Sequence, residues 1–231
     1  MLGLFDSGSG GLNTVRYLKE IAPNVDLVYK IDRENAPYGT KKKNQLIRII
    51  ESNIEELAKR GASRSLIACC TASAMYDELG EWHRSVSIPI IHPVADAAKA
   101  VSENGRIGVV ATLGTVRSHA FAKALFDRTI FEVEAQELVS LIDGGLRDAT
   151  ADKTDINMLR RIVLPLARKN TDTLILGCTH FPALYHSFVK VCHPFGIKNV
   201  INSAEIGAMA LIKHAEDDER KEKWQTTEEE E

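Results

Sequence analysis

The stretch "LIACCTASA" at residues 66–74 decides the fold once it is set beside "LILGCTHFPA" at 174–183. Each runs from apolar, β-forming residues through a small residue and a cysteine to a hydroxyl residue and the first turn of a helix. A second pair repeats in the same way. "LGLFDSGSGGLNTV" at 2–15 and "IGVVATLGTVRSHA" at 107–120 both read as strand, Gly/Ser/Thr loop and helix. The two pairs are separated by nearly the same length of chain, which predicts two similar halves.

Working outward, short apolar runs alternate with longer helical patterns along the whole chain. Strands are predicted at 2–5, 25–31, 65–69, 89–91, 106–110, 129–133, 173–176 and 199–201. Helices are predicted at 11–21, 41–60, 72–83, 94–103, 115–127, 153–169, 182–192 and 204–214. Continuous apolar strands between helices point to the α/β class, with mostly parallel sheets flanked by helices. The expected organisation is a first α/β lobe at 1–92, a second at 93–202, and 203–214 packing back onto the first. The stretch 215–231, "AEDDERKEKWQTTEEEE", is a charged C-terminal tail. It reads as a solvated helix end fraying into disorder, or as a partner-binding tail. Ligands in such folds bind beyond the carboxyl ends of the strands, so the cleft between the lobes is the expected site.

Composition narrows the function. The 231 residues are 44% apolar and 26% charged, ordinary for a globular protein with a core. A net charge of −3 gives no electrostatic case for nucleic acid or an anionic membrane. No apolar run approaches a transmembrane helix, and no secretory leader is evident. The four cysteines (Cys69, Cys70, Cys178 and Cys192) lack a secreted-scaffold spacing. A cytoplasmic chain with reduced thiols is expected. With no paired CxxC and no HExxH, no metal site is expected.

Four segments place small polar residues directly after a strand. In "FDSGSGGL" (5–12), glycines allow a tight turn and close approach to a ligand, and the following helix start offers free N–H groups. Asp6 there is either a cap or a catalytic carboxylate. In "APYGTK" (36–41), Pro37 and Gly39 mark a turn; Tyr38 and Gly39 also suit the wall of a small pocket. The other two segments carry Cys69 and Cys178, each at a strand end beside a helix start. That position should lower a thiol's pKa. A single such cysteine reads equally as a buried, hydrophobe-like residue. Two at matching places in paired halves would face one cleft from opposite sides. Opposed thiols suit inversion at a carbon centre, where one face loses a proton and the other gains one. His180 reads as an aid to Cys178 or as a helix-end hydrogen bonder, and Asp6 could aid Cys69.

Together these segments resemble the cofactor-independent aspartate/glutamate racemase superfamily, and its glutamate-specific members most closely. The matches are "FDSGSGGL" to F-D-S-G-x-G-G-L, "PYGTK" to P-Y-G-x-[KR], "ACCTASA" to A-C-N-T-A-S-A and "LGCTHFPAL" to L-G-C-T-H-Y-P-x-L. "GRIGVVATLGTVRSHAF" resembles the opening of the family's second lobe. The resemblance spans about 2–205. It implies interconversion of L- and D-glutamate without a cofactor, D-glutamate supply for bacterial peptidoglycan, and a homodimer. It also implies that Cys69 and Cys178 are the acid/base pair, with Asp6 and His180 their helpers. Asp6, Ser7, Pro37, Tyr38, Gly39, Cys70, Thr71, Thr179 and His180 then bind the amino acid. The chain departs from the pattern at Cys70, which replaces Asn. It departs again in "EAQELVSLIDGG" (134–145), where a Cys-Pro pair is lost and Asp143 replaces Glu, and in Asn202 and Ala204, which replace Asp and Gly. These departures leave room for aspartate or another acidic substrate. A non-catalytic, racemase-like binding protein is a further alternative.

Overall fold

The computed structural model describes residues 1–228, with side chains through Asp218 and at Arg220. Eight strands form two four-stranded sheets. β1 (Leu2–Asp6), β2 (Leu27–Ile31), β3 (Arg64–Ile67) and β4 (Ser87–Pro89) lie in the order β2-β1-β3-β4. β5 (Arg106–Ala111), β6 (Thr129–Glu134), β7 (Thr173–Gly177) and β8 (Asn199–Ile201) lie in the order β6-β5-β7-β8. Every pairing is parallel, and the two orders are the same. Two similar lobes are therefore present, as the repeated segments predict. In each, the chain leaves the first strand to one side and later returns to the other. The carboxyl ends of β1 and β3, and of β5 and β7, flank these reversals, where a crevice opens.

Helices cover the sheets. In the first lobe these are α1 (Gly11–Ile21), α2 (Lys43–Lys59), α3 (Cys70–Ser73) and α4 (Glu81–Ser85). α5 (Ile91–Val101) links the sheets. The second lobe has α6 (Leu113–Ser118), α7 (Ala120–Ala124), α8 (Gln136–Asp143), α9 (Lys153–Ala167) and α10 (Tyr185–Cys192). α2 shows why such segments are helical. It buries Leu46, Ile50, Ile54 and Leu57, spaced three or four apart, against the sheet. β1 and β7 are buried along their whole length, which accounts for their unbroken apolar character.

The last helix, α11 (Ser203–Glu228), packs on α1, α5 and β3. Residues 215–228 continue as helix past the predicted end at 214, and 229–231 lie outside the described residues. Arg64 clamps the helix, its Nε and Nη2 donating to Asp218 at 2.9 and 2.7 Å.

Other boundaries also differ. The strand expected at 89–91 lies at Ser87–Pro89, since α5 begins at Ile91. The helix expected at 72–83 is split: α3 is one turn, a 3-10 turn follows at Tyr76–Glu78, and extended Leu79 and Gly80 precede α4. The helix expected at 115–127 breaks at His119, which adopts a left-handed φ of 51° between α6 and α7. α8 was not anticipated.

Candidate active site

The ends of β1, β3, β5 and β7 open into one cavity of 460 Å³ between the lobes. All eleven residues expected to bind or act on a ligand line it: Asp6, Ser7, Pro37, Tyr38, Gly39, Cys69, Cys70, Thr71, Cys178, Thr179 and His180. Thr112, Gly114, Thr115, Gln136 and Asp143 line it as well. None of the lining residues is a lysine or arginine. A carboxylate here would be held by hydroxyls and by backbone N–H groups near the helix starts.

β1 ends at Asp6, which is 1% exposed. Its Oδ1 accepts the Gly8 N–H at 2.9 Å and its Oδ2 accepts the Thr179 hydroxyl at 2.8 Å, across the cleft. Burial pushes this carboxyl above its ordinary range, against the pull of His180, Gly8 and Thr179. Cys69 follows β3. Its Sγ lies 3.3 Å from the Ser7 hydroxyl, so Ser7 rather than Asp6 makes its side-chain hydrogen bond. Cys178 follows β7, with Sγ 3.7 Å from His180 Nδ1.

The thiols correct one expectation. Burial, then the nearby Asp6, pushes Cys69 up to about 11 despite hydrogen bonds from Ser7 and the Ala72 N–H. Burial also raises Cys178, with Asp6 and Cys69 adding to it, against the His180 and Phe181 N–H groups. The helix starts are too short to reverse this. α3 has four residues, and Cys178 precedes a 3-10 turn at Phe181–Leu184 rather than an α-helix. Both sulfurs rest as thiols and need a partner to ionise.

Contacts across the cleft hold the lobes in register. Thr71 Oγ1 lies 3.2 Å from both Thr112 Oγ1 and Thr115 Oγ1, and those two are 3.1 Å apart. Asn13 Nδ2 donates to the Thr179 carbonyl at 2.8 Å. Gly10 and Gly114 allow this approach. A Cβ on Gly10 would stand 2.6 Å from His180 Nδ1 and overlap Thr179 Oγ1; one on Gly114 would stand 2.9 Å from Gly39 Cα. Behind the wall, Tyr38 donates to Asp32 Oδ2 at 2.6 Å, and Asn53 and Asn35 donate to the same carboxylate at 3.0 Å.

The altered positions fall in different places. Asp143, at the end of α8, lines the cavity with Oδ1 3.3 Å from His180 Nε2. Cys70 lines it too, but it also packs among the buried apolar residues beneath β1 and β3. Asn202 is not a cavity residue. Its Oδ1 accepts the Ala204 and Glu205 N–H groups at 3.1 and 3.3 Å, capping α11, and its amide donates to Tyr17 at 2.8 Å.

Residues 14–211 match the family described as Asp/Glu/Hydantoin racemase. The chain belongs to that family. A glutamate racemase from Corynebacterium diphtheriae is 36% identical over 184 residues, 79% of this chain and 69% of that protein. The solved structure of a glutamate racemase isoform from Bacillus anthracis superposes with a TM-score of 0.82 at 29% identity, covering 94% of this chain and 82% of that one. A Francisella tularensis glutamate racemase, solved in complex with D-glutamate, gives a TM-score of 0.81 at 26% identity, covering 94% and 81%. The racemase fold thus extends over both lobes and the cavity.

Thr112, Thr115, Gln136 and Ser9 were missed as site residues. The signal for the two threonines lay in the repeat itself. "ATLGT" at 111–115 occupies the place in the second half that "DSGSG" at 6–10 occupies in the first.

Proposed function

We propose that this chain interconverts L- and D-glutamate without a cofactor, through an acid/base pair formed by Cys69 and Cys178. The observation that carries the reading is the placement of the two thiols. They follow equivalent strands of two equivalent sheets and line one cavity sized for a small molecule. One sulfur, as thiolate, takes the α-proton. The opposed sulfur, as thiol, returns a proton to the other face, and the pair then stands ready for the reverse reaction. The negative charge that builds on the α-carboxylate side is met by N–H and O–H donors fixed in advance. Asp6, Ser7, Pro37, Tyr38, Gly39, Cys70, Thr71, Thr179 and His180 are the proposed ligands and helpers.

The four free, buried cysteines suit a reducing cytoplasm. D-glutamate for peptidoglycan is the corresponding cellular role, and a homodimer the corresponding assembly. No helix among the described residues is long and apolar enough to cross a membrane. Cys70 and Asp143, standing where Asn and Glu are usual, favour aspartate or another acidic amino acid as the second reading.

The test is cofactor-free incubation with L- and D-glutamate in heavy water, following the α-proton by NMR. Exchange from both enantiomers is expected. Exchange with aspartate alone would support the second reading, and exchange with no acidic amino acid would overturn both.

A further inference from the structure

On the Cys178 side of the cavity, four side chains form one line of hydrogen-bonding atoms. Ser9 Oγ donates to Asp143 Oδ1 at 2.5 Å. The same Oγ lies 3.4 Å from His180 Nε2, and His180 Nδ1 lies 3.7 Å from Cys178 Sγ. Asp143 Oδ1 is also 3.3 Å from Nε2. Ser9 comes from the loop after β1, whereas Asp143 comes from α8. The line therefore crosses the cleft.

A count of hydrogens fixes its direction. A serine hydroxyl has one hydrogen and a carboxylate has none. The short contact to Asp143 takes the Ser9 hydrogen and leaves an oxygen lone pair facing Nε2. Nε2 then has one hydrogen-bond acceptor beside it, Ser9 Oγ, with the Asp143 carboxylate charge 3.3 Å away, and it carries the ring proton. In the neutral imidazole Nδ1 is left as a bare lone pair facing the Cys178 thiol.

We propose that Ser9 and Asp143 are positioning residues that hold His180 in its Nε2–H tautomer, and so give Cys178 an imidazole base. Neither residue touches Cys178; both act through the ring. The proton balance is simple. The Cys178 S–H bond breaks, its proton goes to Nδ1, and the electron pair stays on sulfur as thiolate, beside an imidazolium whose far side faces the Asp143 carboxylate. That thiolate then takes the α-proton of the substrate. Cys69 has a hydroxyl, Ser7, where Cys178 has an imidazole. Ser9 stands at the unspecified position of F-D-S-G-x-G-G-L, and Asp143 is one methylene shorter than the usual Glu. The serine hydroxyl bridges the acid and the ring. The catalytic consequence rests on the racemase reading above, but the tautomer does not.

The experiment combines nitrogen-15 imidazole spectra of the resting protein with turnover of α-deuterated L- and D-glutamate. Nε2–H is expected for His180 in the wild type. Ser9→Ala should relax this to a mixture. Asp143→Asn, whose amide can donate to Ser9 and turn the serine hydrogen toward Nε2, should favour Nδ1–H. Turnover should fall about tenfold in Ser9→Ala and further in Asp143→Asn, while Ser9→Thr, which keeps the hydroxyl, should recover it. The double variant should be no slower than Asp143→Asn, as expected for residues on one line. In both single variants the primary isotope effect should rise for the enantiomer that Cys178 deprotonates and fall for the other. A structural defect would not divide the two. An Nδ1–H ring in the wild type, or slowing in both variants with unchanged tautomer and evenly matched isotope effects, would overturn the proposal. A wild type that exchanges no acidic amino acid would sink the racemase reading, and the nitrogen spectra would still decide the tautomer.

Discussion

Cys69 follows β3 and Cys178 follows β7, the third strands of two sheets with identical order, and their surroundings are unlike. Cys69 has a hydroxyl at 3.3 Å and Asp6 as the nearby charge that raises it. Cys178 has an imidazole nitrogen at 3.7 Å, backed by Ser9 and the half-exposed Asp143. The comparison teaches that the repeat fixes where the sulfurs stand, while chemistry differs through the positions at which the repeated segments diverge, Ser7, Ser9 and His180, and through Asp143 outside them. Burial raises both thiols, so each depends on its own neighbours to ionise.

The largest effect comes from removing either sulfur. Cys69→Ala and Cys178→Ala should each lower racemisation on the order of 10⁴-fold, measured by circular dichroism of glutamate at saturating substrate. Both faces of the α-carbon need a proton carrier, so neither thiol can serve for both. If either variant racemised at the wild-type rate, the pairing of the two sulfurs would be wrong.

A smaller effect separates two glycines of the same loop. Gly10→Ala places a methyl 2.6 Å from His180 Nδ1 and into Thr179 Oγ1, on the Cys178 side only. Its backbone is right-handed helical, so the cost is steric, about 1–3 kcal/mol of stability, and the displaced ring should cost about 10²-fold in turnover. Gly8→Ala meets His180 Cε1 at 3.5 Å, an ordinary contact, and should be nearly neutral. Chemical denaturation and initial rates on the two variants make the comparison. Equal losses would show that the loop is sensitive throughout rather than where it meets the histidine.

What was legible in the sequence follows the same division. The strands carried long apolar runs, and the repeated Cys-Thr pairs marked the ends of β3 and β7, so the fold and the cavity-lining residues could be read. The helix breaks could not be read so readily. At His119 a non-glycine residue adopts a left-handed conformation that composition does not announce. Gly80, by contrast, was a visible interruption before α4. α8 also had a visible signal in Leu138, Val139 and Ile142 followed by Gly144 and Gly145, a helical face with a stop. The contacts of Thr71 with Thr112 and Thr115, and of Ser9 with Asp143, were out of reach for a different reason. Each joins residues from both lobes, and no local pattern reports which residues meet once the lobes close. The thiol pKa values were misjudged because helix starts were weighed without the burial that outweighs them.

The smallest effect concerns two carboxylates of the first lobe that burial treats alike and hydrogen bonding does not. Burial acts to raise Asp32, but donors from Tyr38, Asn53 and Asn35 outweigh it and hold the group below its ordinary range. Asp6, with fewer donors, stays raised. The signs for stability are opposite. Asp32 binds protons more readily unfolded than folded, so its contribution is complete above pH about 4 and fades as pH falls through the lowered folded value. Asp6 is held more tightly as the acid in the folded state, so its contribution is greatest at low pH and fades as pH rises. Tyr38→Phe isolates the Asp32 side, because it removes the 2.6 Å donor without touching Asp6. At pH 7 it should cost about 1.5–3 kcal/mol, the range for a hydrogen bond to a charged group. The difference between variant and wild type in urea unfolding should shrink as pH falls from about 4 through the lowered folded value, because protonated Asp32 no longer rewards the donor. A difference that stayed constant across that range would place the tyrosine's contribution in packing rather than in the carboxylate it holds.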